Sequence, residues 1–484
     1  MPTNIRGRVG IIAGLCLLAT SLVATSGSAN AEPASAAAGI RPVYVTNADV
    51  TNDISTFAVD LGSGRPVLTG DLVKAGPGVR QMTFTPDART AYAANAEDGT
   101  ISVYTVGPLG RLTPAGTVET GGDTPLGITV TPNGHTLYVA HVFSSTVAKF
   151  TIASDGSLAK REIVSTSVAN PRGLAMTPDG RFLFVGHGDP GPDRDKSVGA
   201  ITAFAVGADG TLTRAGSPIR VGRFCGDLAI TPDSRRVYLI CQDTDQIFGF
   251  AIRLGGELTP LPGSPYPVSS FPEGIAISPD GRFVFTASLG AGGRGVGPGA
   301  VSSYAIAIDG SLTRLAAPIE AGQFPVEITV VPSGRFAYAS GGDATGELSA
   351  FQISPAGRLL PLASKPFDTG GIGPGYGSVS VLPNQGPVAG FAASVDGRTV
   401  TFDGSASTDA DGSVARYRWD FGDGTTLSTA DPRTTHLYPR AGTFRATLVV
   451  TDNEGCSTAL VGTGRAVLCN GTAAATTTAD IVVG

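Results

Sequence analysis

Charge is scarce in this chain of 484 residues: Asp, Glu, Lys and Arg together make up 15%. The net charge of −6 is mild and no basic cluster occurs, which argues against a nucleic-acid partner. Four histidines, three methionines and one tryptophan leave few places for imidazole, thioether or indole chemistry. No HExxH, nucleophile elbow or P-loop occurs. No dinucleotide fingerprint stands in a strand–helix setting either, and the Gly-rich run at 290–299 reads as a mobile loop. After the N-terminal stretch there is no second long apolar run, and the cysteines form no CxxC pair.

What is abundant is Gly (67) and Pro (34). Such a mixture suits many short strands joined by tight turns and argues against long helices. The N-terminus reads as an export signal. Arg6 and Arg8 precede an apolar stretch from Val9 to Ala24, and Ala29-Asn30-Ala31 offers an A-x-A cleavage site before Glu32. A retained membrane anchor is the competing reading of residues 1–31. Cleavage implies a secreted, extracellular protein with no membrane insertion. The four remaining cysteines would then meet an oxidising compartment. Cys225 and Cys241 flank a hairpin about the turn 232–235, and Cys456 and Cys469 close a short loop, so two disulfides are expected.

Self-similarity dominates the rest. A strand, a Thr/Ser-Pro-Asp-Gly-like turn and a second strand recur as MTFTPDARTAYAAN, ITVTPNGHTLYVAH, LAMTPDGRFLFVGH, LAITPDSRRVYLIC, IAISPDGRFVFTAS and ITVVPSGRFAYASG. Tyr92, Tyr138, Phe184, Tyr238, Phe285 and Tyr338 mark the repeat every 46 to 54 residues. Pro presets φ at the second turn position, Asp or Asn suits the third and Gly the fourth. Four short strands of this length, repeated radially, make a propeller blade. The unit opening at Tyr44 lacks an innermost strand, and SVSVLPN at 378–384 lacks partners. Together they supply one shared blade, giving seven.

Tyr44-Val45-Thr46-Asn47 and the blade pattern over 40–384 resemble the YVTN-repeat, lactonase-family seven-bladed β-propellers. After the linker at 384–387 the alternation changes. The string WDFGDG from Trp419 to Gly424, with DGSASTDADGSV before it and HLYPRAGTFRATLVVTDNEG after it, resembles PKD domains, small Ig-like β-sandwiches. The expectation is therefore an all-β chain: a signal at 1–31, a propeller at 40–384 and a PKD-like sandwich at 386–484. The insertion holding Cys456 and Cys469 departs from the usual PKD ending. Trp419 alternates onto the core face of its strand. Asp403, Asp409 and Asp411 read first as turn-capping residues; calcium at Asp409 and Asp411 is the one cofactor they could take.

One rim of the ring collects the candidate site. Arg80, Gln81, Arg172, Asp227, Glu273 and Glu327 come from loops entering the innermost strands; Asn47, Asn95, His141, His187 and Asp189 come from loops leaving the aromatic strands. Opening a lactone needs a base and an oxyanion partner. Glu273, Glu327 or His187 would be the base and Arg80 or Arg172 the partner, while Arg80, Asn47, Asn95, His141, Asp189 and Asp227 would bind ligand. Yet the histidines that the lactonase resemblance implies are not matched. Pro171-Arg172-Gly173 has glycine where histidine is expected, and His141 and His187 read as solvated loop ends. Two functions stay open. One is an extracellular binding protein for a small molecule, glycan or protein; the other is a secreted lactone hydrolase at the channel mouth.

Overall fold

The computed structural model describes residues 39–48, 50–70, 72–188, 198–290, 299–342 and 345–484. The proposed signal at 1–31 lies outside them, as do Asp189 and most of the Gly-rich run at 290–299. Seven antiparallel sheets carry the repeat. Blade 1 is the shared one: Ile40–Asn47, Asp53–Asp60 and Pro66–Leu68 come from the N-terminal side, and Pro374–Val381 supplies the innermost strand. Val43 pairs with Val381 and Val45 with Val379, which closes the ring. The innermost strands of blades 2 to 7 are Val79–Phe84, Pro125–Val130, Pro171–Met176, Cys225–Ile230, Pro272–Ile277 and Glu327–Val330.

The recurrent turn works through its hydroxyl. Thr85, Thr131, Thr177, Thr231 and Ser278 each donate to the Asp or Asn two residues on, at 2.5–2.6 Å. The fourth position is left-handed in every copy, with φ from 57° to 74°. Glycine fills it in four, while Ala88 and Ser234 carry the steric cost.

The repeated aromatic explains why the blades stay in register. Tyr44, Tyr92, Tyr138, Tyr238 and Tyr338 are buried, and each hydroxyl donates to a glycine carbonyl of the following blade: Gly110, Gly156, Gly210, Gly310 and Gly64. The last of these bonds runs from blade 7 back to blade 1. Phe184 and Phe285 hold the same position in blades 4 and 6 and have no hydroxyl to give. Both disulfides form, Cys225–Cys241 tying the two inner strands of blade 5 and Cys456–Cys469 closing the insertion.

The sandwich packs Val400, Phe402, Trp419, Phe421, Tyr438 and Leu448 into one core, with Trp419 fully buried. Its last strand, Thr476–Val483, pairs antiparallel with Gly442–Asp452, so the insertion leaves the final register intact. Asp403 caps Ser405, as a turn residue should. The sandwich is joined to the turn-bearing rim of the propeller through Arg41, the second residue of the first strand. Arg41 Nε donates to Glu454 Oε1 at 2.8 Å, Nη1 to Asp411 Oδ2 at 2.7 Å and Nη2 to Asn384 Oδ1 at 2.8 Å. Asp411 also accepts from the Gln385 amide. Asp409 lies beside it with its carboxylate oxygens buried and without hydrogen-bond partners, and burial together with Asp452 pushes its pKa up to about 7. Among the described residues no group of three His, Cys, Asp or Glu is arranged to hold a metal.

Replacing Tyr138 by Phe should cost about 1–2 kcal/mol in urea unfolding, because the buried Gly210 carbonyl loses its donor. Arg41→Ala should cost more, about 3–5 kcal/mol, since it strands buried Glu454 without a countercharge. Equal losses in the two variants would show that the Arg41 network contributes nothing special.

Candidate functional site

One residue per blade stands at the same point of the innermost strand, just before the apolar pattern begins: Ser378, Gln81, Gly127, Gly173, Asp227, Gly274 and Glu327, from blade 1 to blade 7. Three positions are glycine for lack of room. A Cβ on Gly127 would come within 2.4 Å of the Arg172 carbonyl, and one on Gly274 within 2.6 Å of Glu327 Cα. Gln81 and Asp227 bridge to the next blade, accepting from the Ile128 amide at 3.1 Å and the Ile275 amide at 2.9 Å. Asp227 and Glu327, both buried, meet a third side chain that the repeat does not contain. Arg465 Nη1 lies 2.7 Å from Asp227 Oδ2 and 2.5 Å from Glu327 Oε1.

Arg465 belongs to the disulfide-closed insertion of the sandwich. The insertion enters the propeller channel from the turn-bearing rim: Ile230 donates its amide to the Thr463 carbonyl and Met176 to that of Gly464. On the other side Tyr376 crosses the channel mouth. It packs with Leu126 and Val142, and its hydroxyl occupies the space that a Cβ on Gly173 would take, 2.7 Å away. Arg172 lies over Tyr376 at 5.3 Å and over Phe224 at 4.5 Å, and its guanidinium reaches Glu273 at 3.5 Å. The channel is thus filled in layers: Arg172 with Glu273, then Tyr376, then Arg465 between its two carboxyls.

The remaining predicted residues sit elsewhere. Asn47 and Asn95 are buried in their blades, donating to Asp53 and Ser55 and to Thr100 and Ser102. The expectation that His141 and His187 are solvated loop ends is corrected. Both are fully buried; His141 Nδ1 contacts Thr146 Oγ1 at 3.0 Å, and His187 Nε2 contacts Thr202 Oγ1 at 2.9 Å. The four residues share one repeat position, where the last side chain of the aromatic strand turns into the blade and meets a hydroxyl of the next strand. Arg80 is half-buried near Gly375 on the mouth side. Arg465 and Tyr376 were absent from the sequence reading.

One guanidinium charge faces two carboxyls here, so the cost of burial is only partly offset. Burial pushes Glu327 up to about 8 and raises Asp227 as well, against the lowering pull of Arg465. Burial also raises Tyr376. His141 moves the other way, to about 4, because burial disfavours its cation. The folded state therefore holds protons on carboxyls that the unfolded chain releases, and that stabilisation is lost as pH rises through the raised folded values. Below about pH 6.5 the His141 contribution opposes it, since the unfolded imidazole then gains a proton. Between pH 6.5 and 8 the carboxyls act alone, so the urea midpoint should fall with rising pH. Glu327→Gln should flatten that limb; an unchanged slope would remove Glu327 as its source.

Comparison with known proteins agrees with this geometry. Residues 41–191 match the family model "Lactonase, 7-bladed beta-propeller", and residues 384–467 match "PKD domain". A putative 6-phosphogluconolactonase from Bacteroides uniformis superposes with a TM-score of 0.59 at 17% identity, over 71% of this chain and 99% of the other. The periplasmic gluconolactonase PpgL of Pseudomonas aeruginosa gives 0.57 at 21% identity, over 71% and 99%. Among curated proteins, the pre-pro-metalloprotease PrtV of Vibrio cholerae is 43% identical over 113 residues, 22% of this chain and 11% of that protein. The collagenase ColA of Clostridium perfringens is 45% identical over 56 residues, 12% and 5%. This chain thus spans about a tenth or less of the length of these two curated relatives. By fold, the chain is a seven-bladed β-propeller followed by a small β-sandwich, and it resembles the lactonase propellers over residues 41–191 and the PKD domains over residues 384–467.

Proposed function

We propose that this protein binds an extracellular or periplasmic ligand at the mouth-side rim of its propeller and turns none over. The observation that carries the reading is the filled channel. Glu327, a candidate base, and Asp227 are held by Arg465 beneath Tyr376, where a lactone and its attacking water have no access. What stays near the surface is the Arg172–Glu273 pair with the half-buried Phe224 ring and Arg80, a mixed aromatic and charged surface. Such surfaces bind polar ligands through a few placed charges and a stacking face. The two disulfides, the proposed export signal and the likeness to a periplasmic gluconolactonase and to a pre-pro-metalloprotease support a location outside the cytoplasm. The ligand class is a small molecule, a glycan or an extracellular protein.

A lactone hydrolase is the second reading, and Arg172 beside Glu273 favours it. A carboxylate that activates water and a guanidinium that holds the oxyanion are the two groups ring opening needs. One experiment separates the readings. The mature protein should be retained on a cell-wall, glycan or secreted-protein preparation, and Arg172→Ala should weaken that retention at least about tenfold, a loss of about 1.4 kcal/mol. A lactone panel should show no turnover. Turnover that falls tenfold in Arg172→Ala or Glu273→Gln would instead establish the hydrolase, and absence of both retention and turnover would overturn both.

A further inference from the structure

We propose that the propeller channel between Asp227 and Glu327 is a guanidinium-binding site, and that Arg465 of the sandwich insertion is its built-in ligand. The repeat carries the first part of the argument. Of the seven equivalent channel positions only those of blades 5 and 7 are acidic, while the rest are Gly, Ser or Gln. The two acids are the two residues that Arg465 contacts. Neither carboxyl has solvent access, so each needs a partner inside the channel.

The insertion behaves as a ligand carrier. Its tip docks by backbone on the adjacent innermost strands of blades 4 and 5, through Gly464 and Thr463. Gly464 has φ of 93°, and a Cβ there would stand 3.0 Å from Ala175 Cβ, so the approach admits glycine. Leu468 joins the core cluster of Val331, Phe336 and Val381, and the Cys456–Cys469 bridge closes the base. Arg465 is thereby delivered to a fixed point from outside the repeat.

The site also has polar capacity beyond what Arg465 uses. Glu327 Oε2, Arg465 Nε and the Tyr376 hydroxyl are buried without hydrogen-bond partners. Both carboxyls meet one nitrogen, Nη1; what favours a guanidinium over a compact ammonium at this buried point is its weaker hydration, which lowers the cost of taking it out of water.

The test is chemical rescue of the full chain. Arg465→Ala should unfold at least about 5 °C below the parent, because the buried Asp227–Glu327 pair loses the one cation it faces. Low-millimolar guanidinium chloride should restore at least half of that loss in a saturable manner, whereas equal sodium or ammonium chloride should not. The parent, with its site filled, should show no gain. The triple variant Arg465→Ala, Asp227→Asn, Glu327→Gln should ignore guanidinium. No saturable recovery, recovery matched by ammonium, or a response in the triple variant would overturn the proposal. If Arg465→Ala is recovered only by refolding, the same comparison is made on soluble yield: a gain specific to guanidinium supports the site, and equal yields overturn it.

Discussion

Ring closure is the constraint on which this molecule rests. Pro374–Val381 lies on Ile40–Asn47, so the first and last strands of the propeller share a sheet. Without that pairing blade 1 has no innermost strand and the channel has one open side. The Tyr338 hydroxyl could no longer find Gly64 across the seam from blade 7. The tyrosine makes its inter-blade hydrogen bond at five of the seven junctions, each worth little alone, and the one at the seam forms only once the ring is shut.

Two buried arginines then decide how the second domain relates to the ring. Arg41 lies on the seam strand and is held by Asp411, Glu454 and Asn384 of the C-terminal segment. Arg465 travels the opposite way, from the sandwich into the channel. Each buries a charge that only the other domain neutralises. Buried pairs of this kind add little net stability over apolar packing, but they penalise heavily any arrangement that separates the partners. The sandwich is therefore held in one place by cost, and its hairpin fills the space that an open propeller would offer to a ligand.

The fold was legible because it is written many times over. Six copies of one turn, with aromatics at nearly constant spacing, identify the blade, and the unmatched pieces at 44 and 378 identify the closure. Trp419 could be assigned to the core from alternation alone. The site was legible only in part. Asp227 and Glu327 stand out because the equivalent positions of the other blades are uncharged, and Arg172 and Glu273 because most blades have a small or apolar residue there. Their partners do not: Arg465 lies 138 residues from Glu327 and 238 from Asp227, in an insertion with no repeat to compare it with. Tyr376 acts across the channel, a relation that no local pattern encodes. His141 and His187 are the last residues of their strands, where composition alone does not separate a strand end from a loop. The signal was present, since Asn95 and His141 precede a Thr by five residues, at 100 and 146.

The hairpin in the channel also bears on how such a chain can evolve. Propellers and sandwiches are commonly treated as interchangeable modules joined by a linker. Here an exchange of the C-terminal domain would remove Arg465 and leave two acids sealed in the ring. An exchange of the propeller would leave an arginine with no acids to meet. Asp227, Glu327 and Arg465 form one unit across the domain boundary, and recombination at the linker would separate its two halves.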